Sequence, residues 1–528
     1  MPMTRRVPTS VLTLFPLLIS LAPVNPLLAQ RAPLANRIQR VMDRPEFAHA
    51  MWGMQFVSLD SGGRVVYALN ENKLFTPGST TKLVTEGTAM GVLGADHRFT
   101  TRVYRTGPVR AGVLEGDLVL LASGDPNLSA RLKPDGTLAF ENEDHSYDAD
   151  PNTRAVPGDP LQVLRSLAKQ VREHGITRVS GSVIVDASLF AEGERELGTG
   201  VVISPIVVND NLVDVTIGPA ANGEGAASLA VSPKTSYVRF INQVKTAPAG
   251  TRPSIRWSSD SLLPDGSHIV VASGVFPKGT APILYSYAVP QPSRFAEVTL
   301  AEVLRDAGVA AQPRRYATKP AFVRLRSSYG PANTIAEHQS ATFGNEVRVT
   351  LKVSQNLHAS MTPFLLGALR GKDSSTTGFD VERDFLTSLG LDLSGAQQAD
   401  GAGGDAHYTP TFMTSYLSAM AKRPDMPIFL AALPILGRDG TLFDIQDKSP
   451  AAGHVFAKTG TFAVGDPLNR RLLVTGKGLA GYMTTAQGER LAFAIYVNNV
   501  SVSTAPDEVK RVVGQALGEI AALAYEGR

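Results

Sequence analysis

Residues 76–94 read TPGSTTKLVTEGTAMGVLG, and one turn of that stretch decides how the chain is understood. Pro77-Gly78 breaks the backbone, and Leu83, Val84, Met90 and Leu93 then recur at roughly helical spacing, so a helix begins near Ser79. Ser79 and Lys82 stand three positions apart on it, which places their Cβ atoms about 5–6 Å apart on one face. A lysine so placed can take the serine's proton once burial or a second cation lowers its pKa. The helix N-terminus favours the negative charge that then develops. A Ser-x-x-Lys pair alone is a weak signal, and Ser166-Leu167-Ala168-Lys169 is a second copy. That copy lies inside LQVLRSLAKQVREHG (residues 161–175), where helical spacing already accounts for it, and no turn precedes it.

Two further motifs follow in chain order, Ser354-Gln355-Asn356 and Lys458-Thr459-Gly460-Thr461. Ser354 and Asn356 can share one side of a short turn, the first relaying a proton and the second holding Lys82 and a substrate carbonyl. Lys458, on a strand, would supply the second cation, with Thr459, Gly460 and Thr461 offering a hydroxyl and an edge for an extended peptide. Three matches in this order are far more specific than any one of them. Gly476-Lys477-Gly478-Leu479-Ala480-Gly481 also fits a GxGxxG pattern, but strands follow it instead of a helix, so a hairpin is expected there and not a dinucleotide site.

Composition removes the competing chemistries. The 528 residues predict two to four domains and are 43% hydrophobic, ample for buried cores. No cysteine is present, which excludes disulfides, thiolate metal sites, a thiol nucleophile and a lipidated cysteine. The nine histidines form no HExxH pair, and the net charge of +3 comes without a basic block, so neither metal ligation nor nucleic-acid binding is expected. No cofactor is called for. A hydrolase of this composition must rely on Ser, Lys, Asp or Glu.

Residues 1–29 carry Arg5 and Arg6 and then an apolar stretch interrupted by Pro16, Pro23 and Pro26, the pattern of a secretory signal rather than a spanning helix. Cleavage after Ala29 leaves 49 basic against 48 acidic side chains. No later apolar run is long enough to cross a bilayer, so an exported, soluble, periplasmic product is expected. Residues 54–69 read as a strand hairpin, 100–330 as mostly short strands, and Met361–Arg370 and Thr411–Lys422 as helical. Val455–Phe462, Arg471–Thr475, Gly481–Thr485 and Arg490–Val497 read as strands before an amphipathic helix from Val509 to Ala524. That helix fits packing on the sheet better than lying on a membrane; loose membrane association and a homodimer both remain open.

With these motifs the chain resembles the D-alanyl-D-alanine carboxypeptidase/endopeptidase family, the low-molecular-mass class C penicillin-binding proteins. The resemblance extends through Gly116–Leu128, Ile176–Phe190, His338-Gln339-Ser340, Leu433–Leu442, Ser449–Thr461 and Leu479–Asn499. It implies a multi-domain α+β fold: a β-lactamase/transpeptidase-like domain, an antiparallel sheet flanked by helices, interrupted by inserted, mostly β domains. The expected parts are 30–98 and 331–528 for that domain and 99–330 for a nested inserted pair, the inner one about 187–280. The implied activity is hydrolysis of D-Ala-D-Ala or D-Ala-diaminopimelate bonds in peptidoglycan stem peptides through a Ser79 acyl-enzyme. In that scheme Lys82 is the base, the Ser79 and Thr461 N–H groups form the oxyanion hole, and Ser354 with Lys458 passes the proton to the leaving amine. β-Lactam antibiotics would acylate the same serine. The alternatives are a weakly active or inactive wall-binding protein of the same fold, or a β-lactamase. Two departures stand out: Gln355 replaces the commoner aspartate and is expected to point away from the chemistry. The family's Asp-Gly-Ser-Gly-Leu-Ser-Arg appears as Asp400-Gly401-Ala402-Gly403-Gly404-Asp405-Ala406, either a flexible turn or a substrate-facing loop.

Overall fold

The computed structural model describes residues 33–147, 149–505 and 507–527; the expected signal segment lies outside them. Strand Met51–Ser58 is buried along nearly its whole length and so needs a layer on each face. It pairs antiparallel with Val65–Leu69 on one side and with Arg490–Asn498 on the other. Arg471–Thr484 and then Val455–Asp466 extend this sheet, again antiparallel, and Val500–Val502 pairs with Arg471–Thr484. Alternate residues of each strand face opposite layers. Phe493, Ile495 and Val497 join Ile38, Val41, Leu517 and Ile520 under the two terminal helices, Leu34–Met42 and Gln515–Glu526. Ala492, Ala494 and Tyr496 face the other core with Leu83, Val84 and Tyr416. Small side chains on this second face let helix Thr81–Leu93 approach closely, and its residues 81–90 are all buried. The apolar face of the closing helix is occupied by this packing, and among the described residues no helix is long and apolar enough to cross a membrane.

Two local expectations are corrected. The strands expected at Arg471–Thr475 and Gly481–Thr485 are one strand, Arg471–Thr484, and Gly476–Gly481 is its middle instead of a hairpin. The glycines there answer to tertiary packing: a Cβ on Gly476 would lie 2.5 Å from the Thr76 carbonyl oxygen, and one on Gly478 would lie 2.8 Å from that of Pro77. The strand thus lies directly against the segment leading to Ser79. A helix, Phe343–Val353, also precedes the one read near Met361, which itself begins at Asn356. The two are separated only by Ser354, in the left-handed region at φ 63°, and Gln355.

Between the two halves of the transpeptidase-like sheet and its helices the chain builds a β-rich insert. Thr100–Arg105, Leu118–Leu121 and Val183–Asp186 form a four-stranded sheet with Thr334–Gln339, a strand that lies beyond the expected boundary at 330. Helices Gln162–Glu173 and Pro292–Asp306 cover it. Two three-stranded sheets, built from strands between Leu212 and Ala288, follow within the insert.

Candidate active site

The 3-10 turn Gly78–Thr80 carries Ser79, and the first turn of the helix Thr81–Leu93 that continues it carries Lys82. Lys82 is fully buried, and its Nζ lies 2.8 Å from Ser79 Oγ. Three more oxygens surround it: Asn356 Oδ1 at 2.6 Å, the Ser354 carbonyl at 2.9 Å and Ser354 Oγ at 3.0 Å. As an ammonium this nitrogen has three N–H bonds for four oxygens; as a free amine it donates two and accepts one serine O–H. Burial pulls its pKa down to about 7, against the pull of the Glu196, Asp400 and Asp144 charges. Glu86, one turn on, does not compensate it at neutral pH, because burial pushes that carboxyl up to about 8.

The motif 458–461 runs beside the serine. Lys458 is fully buried, donates to the Thr459 carbonyl at 2.8 Å, and has its pKa held well below the usual lysine value by burial and by Lys82 and Lys477. Thr459 Oγ1 donates to Thr441 Oγ1 at 2.8 Å. Glycine is required where this strand meets the serine turn. A Cβ on Gly78, itself at φ 52°, would lie 2.5 Å from the Thr461 nitrogen, and one on Gly460 would lie 3.0 Å from the Ser79 nitrogen. The backbone N–H groups of Ser79 and Thr461 are therefore neighbours. Ser79, Ser354, Asn356, Thr459 and Thr461 line one cleft of about 550 Å³. All eight expected residues thus converge, Gly460 as the contact that permits the approach. The second Ser-x-x-Lys copy does not: Ser166 and Lys169 are exposed on the insert, with Lys169 3.7 Å from Glu173.

The insert supplies residues that no local motif announces. The Tyr147 hydroxyl donates to the Ser354 carbonyl at 2.5 Å and lies 3.1 Å from Asn356 Oδ1. The Gln355 amide does point away from Ser79. Its Nε2 donates to Asp144 Oδ1 at 3.0 Å and its Oε1 accepts the Leu357 N–H at 2.8 Å. Asp144 belongs to a buried ionic network in which Arg131 bridges Asp144 Oδ2 at 2.5 Å and Asp210 Oδ2 at 2.7 Å. His145 joins Asp210 at 2.7 Å and Asp214 at 2.9 Å, while His358, on the helix after Asn356, joins Asp210 at 2.9 Å. Burial opposes charge on His145, yet Asp214 and Asp210 hold its pKa well above the ordinary histidine value, so it is an imidazolium. Asp144, His145 and Asp210 converge closely enough to hold a metal ion, but the Arg131 guanidinium already takes the cation's place among them. An aspartate at 355 would face Asp144 charge to charge; a glutamine donates to it instead.

The segment 400–406 is a pinned loop. Asp400 Oδ1 accepts the Ala402 and Gly403 N–H groups, both at 2.6 Å, and Thr85 Oγ1 donates to the Gly401 carbonyl at 3.0 Å. Gly403 has φ 98°, and a Cβ there would lie 2.1 Å from the Gly78 carbonyl oxygen. The loop backs onto the serine turn through its backbone, a contact that depends on none of the missing hydroxyls.

The chain is similar to known proteins along most of its length. Residues 34–517 match the model of the D-Ala-D-Ala carboxypeptidase 3 (S13) family. A D-alanyl-D-alanine carboxypeptidase from Actinomadura sp. (strain R39) is 26% identical over 522 residues, covering 93% of this chain and 86% of that protein. The crystal structure of penicillin binding protein 4 from Haemophilus influenzae superposes with a TM-score of 0.68 at 19% identity, over 93% of this chain and 99% of that one. The same protein complexed with a β-lactam gives 0.63 at 18% identity, over 93% and 98%.

Proposed function

The chain belongs to the D-Ala-D-Ala carboxypeptidase 3 (S13) family, and from that premise we propose that it is an exported serine D,D-peptidase of peptidoglycan stem peptides. One observation carries the reading: a fully buried Lys82 amine 2.8 Å from Ser79 Oγ, enclosed by Ser354 and Asn356. With Lys82 neutral, Ser79 loses its proton to Nζ as Oγ attacks the carbonyl of a D-Ala-D-Xaa bond. The Ser79 and Thr461 N–H groups receive the oxyanion. Ser354, in contact with Lys82, passes the proton to the leaving amine, with Lys458 on the strand behind it. Asn356 and Tyr147 fix the Ser354 turn. Water then hydrolyses the Ser79 ester by the same route in reverse.

The same residues bind β-lactams in this reading, because the ring amide presents an equivalent carbonyl whose leaving nitrogen stays tethered. The site would accept both terminal D-Ala-D-Ala and cross-links in which the second centre belongs to diaminopimelate. Release of D-Ala from a stem pentapeptide, and cleavage of cross-linked dimers, tests the proposal directly. Turnover of either by the wild type and its abolition in Ser79→Ala are expected; an undiminished rate in that variant would overturn it. Rapid hydrolysis of a chromogenic cephalosporin would instead mark a β-lactamase.

A further inference from the structure

A second cavity adjoins the cleft. Tyr147 and Gly198 line both the space around Ser79 and another of about 670 Å³ on the insert, which Trp257, Asp260 and Tyr287 also line. Trp257 and Asp260 stand on Ser254–Leu262, the edge strand of a three-stranded sheet. Residues three apart on a regular strand face opposite sides. Here Trp257 lies opposite Ala272 and Ser259 opposite Val271, so a bulge at Ser258 brings Asp260 to the face of Trp257. Both side chains are fixed there. The indole N–H donates to the Ser286 carbonyl at 3.2 Å, and the ring packs on Phe240 and Tyr287, with centroids 5.5 and 6.4 Å away. Asp260 Oδ2 accepts the Tyr287 hydroxyl at 2.6 Å, and Oδ1 lies 2.6 Å from His268 Nδ1. A carboxylate offers about four lone-pair sites. Asp260 is 34% exposed, so acceptor capacity is left for a ligand in the cavity.

We infer that this cavity binds a pyranose ring of the amino-sugar strand that carries the stem peptide, its C–H face on Trp257 and its hydroxyls on Asp260. The inference rests on the peptidase reading. A sugar ring presents an apolar face and a rim of hydroxyl donors, the complement of an indole beside a fixed carboxylate. Its reach agrees as well. Extended, the stem residues between that sugar and the D-Ala-D-Ala carbonyl span about 13–14 Å, enough to pass one tyrosine side chain. Tyr147, whose hydroxyl meets the Ser354 carbonyl, is that side chain, since it borders both spaces. Trp257 and Asp260 line no part of the cleft around Ser79, so their effect falls on substrates that bring the glycan with them.

The test compares D-Ala release from a free stem pentapeptide with release from the same peptide on its N-acetylglucosamine–N-acetylmuramic acid disaccharide. The wild type should favour the disaccharide-linked peptide about tenfold in kcat/KM, the worth of one charge-assisted hydrogen bond, with the gain in KM. In Trp257→Leu and Asp260→Asn that ratio should fall to within about twofold of unity, while the free peptide is cleaved as by the wild type. A wild type that treats both substrates alike would refute the inference without any variant, and so would a folded Asp260→Asn that keeps the preference. Binding is read separately with the disaccharide alone, its lactyl acid capped as an amide, through tryptophan emission. The only other tryptophan, Trp52, is buried in the sheet core, so a saturable change reports on Trp257. That change should be weaker in Asp260→Asn. Its absence in the wild type, or an equal change with the free peptide, would refute the sugar assignment. A wild type that binds the disaccharide but cleaves neither substrate would overturn the peptidase reading and leave the cavity's ligand standing.

Discussion

Replacing Gln355 with glutamate tests whether the insert supports the catalytic turn from behind. Nothing but the amide changes: Nε2 donates to Asp144 at 3.0 Å, and the side chain is fully buried. Asp144 stays ionised, because Arg131 and His145 outweigh its burial and hold its pKa below the usual carboxylate range. A glutamate there either faces that charge or keeps a proton and donates it. Keeping the proton at about pH 7 on a group whose ordinary pKa is about 4.3 costs about 3.7 kcal/mol, and about 1 kcal/mol at about pH 5. The native variant then holds one proton more than the unfolded chain over this range. Stability is therefore present at low pH and lost as pH rises toward the raised native pKa. The penalty relative to wild type should grow by about 2.7 kcal/mol between the two pH values. Urea unfolding followed by the fluorescence of the two tryptophans measures it. A variant as stable as wild type at the higher pH, or more damaged at the lower one, would refute the reasoning.

Acylation by penicillin should quicken as pH rises through about 7, because Lys82 must shed its proton to serve as base; stopped-flow rates that stay flat through neutrality would contradict this. Gly403→Ala adds a Cβ 2.1 Å from the Gly78 carbonyl at φ 98°, and should lose about 2–4 kcal/mol of stability with a slower acylation rate, read by thermal unfolding and labelling kinetics. Arg131→Leu leaves Asp144 and Asp210 buried without their shared cation, a loss of about 3–5 kcal/mol that should appear as reduced soluble yield and a lower urea midpoint.

What could be read from the sequence was local chemistry. Ser79 with Lys82, and Lys458 with Thr461, are set by spacing along one helix turn and one strand, so their geometry followed from residue numbers. Ser354 and Asn356 were legible as a pair, but the turn was read without the helix Phe343–Val353 that delivers it. That helix is buried on nearly every side, and its residues 346–353, EVRVTLKV, alternate with the period of a strand instead of a helix. Gly476–Gly481 was misread because its glycines serve a contact with Thr76 and Pro77, some 400 positions earlier in the chain. Tyr147 and the Arg131 network were invisible for a related reason: a buried ion pair satisfies partners on distant segments and leaves no period in its own. The stretch holding Asp144, His145 and Tyr147 has no regular secondary structure to betray its position. Lys477 stands in the sequence only as part of a GxGxxG pattern, and its position opposite Thr461 follows from strand register alone.

Intact-mass analysis after incubation with benzylpenicillin, followed by peptide mapping, tests the central claim most directly. A single adduct of one penicillin on the peptide that contains Ser79 is expected, absent from Ser79→Ala. An adduct that survives that substitution, or folded wild type that takes none, would contradict the assignment of Ser79 and Lys82 as nucleophile and base.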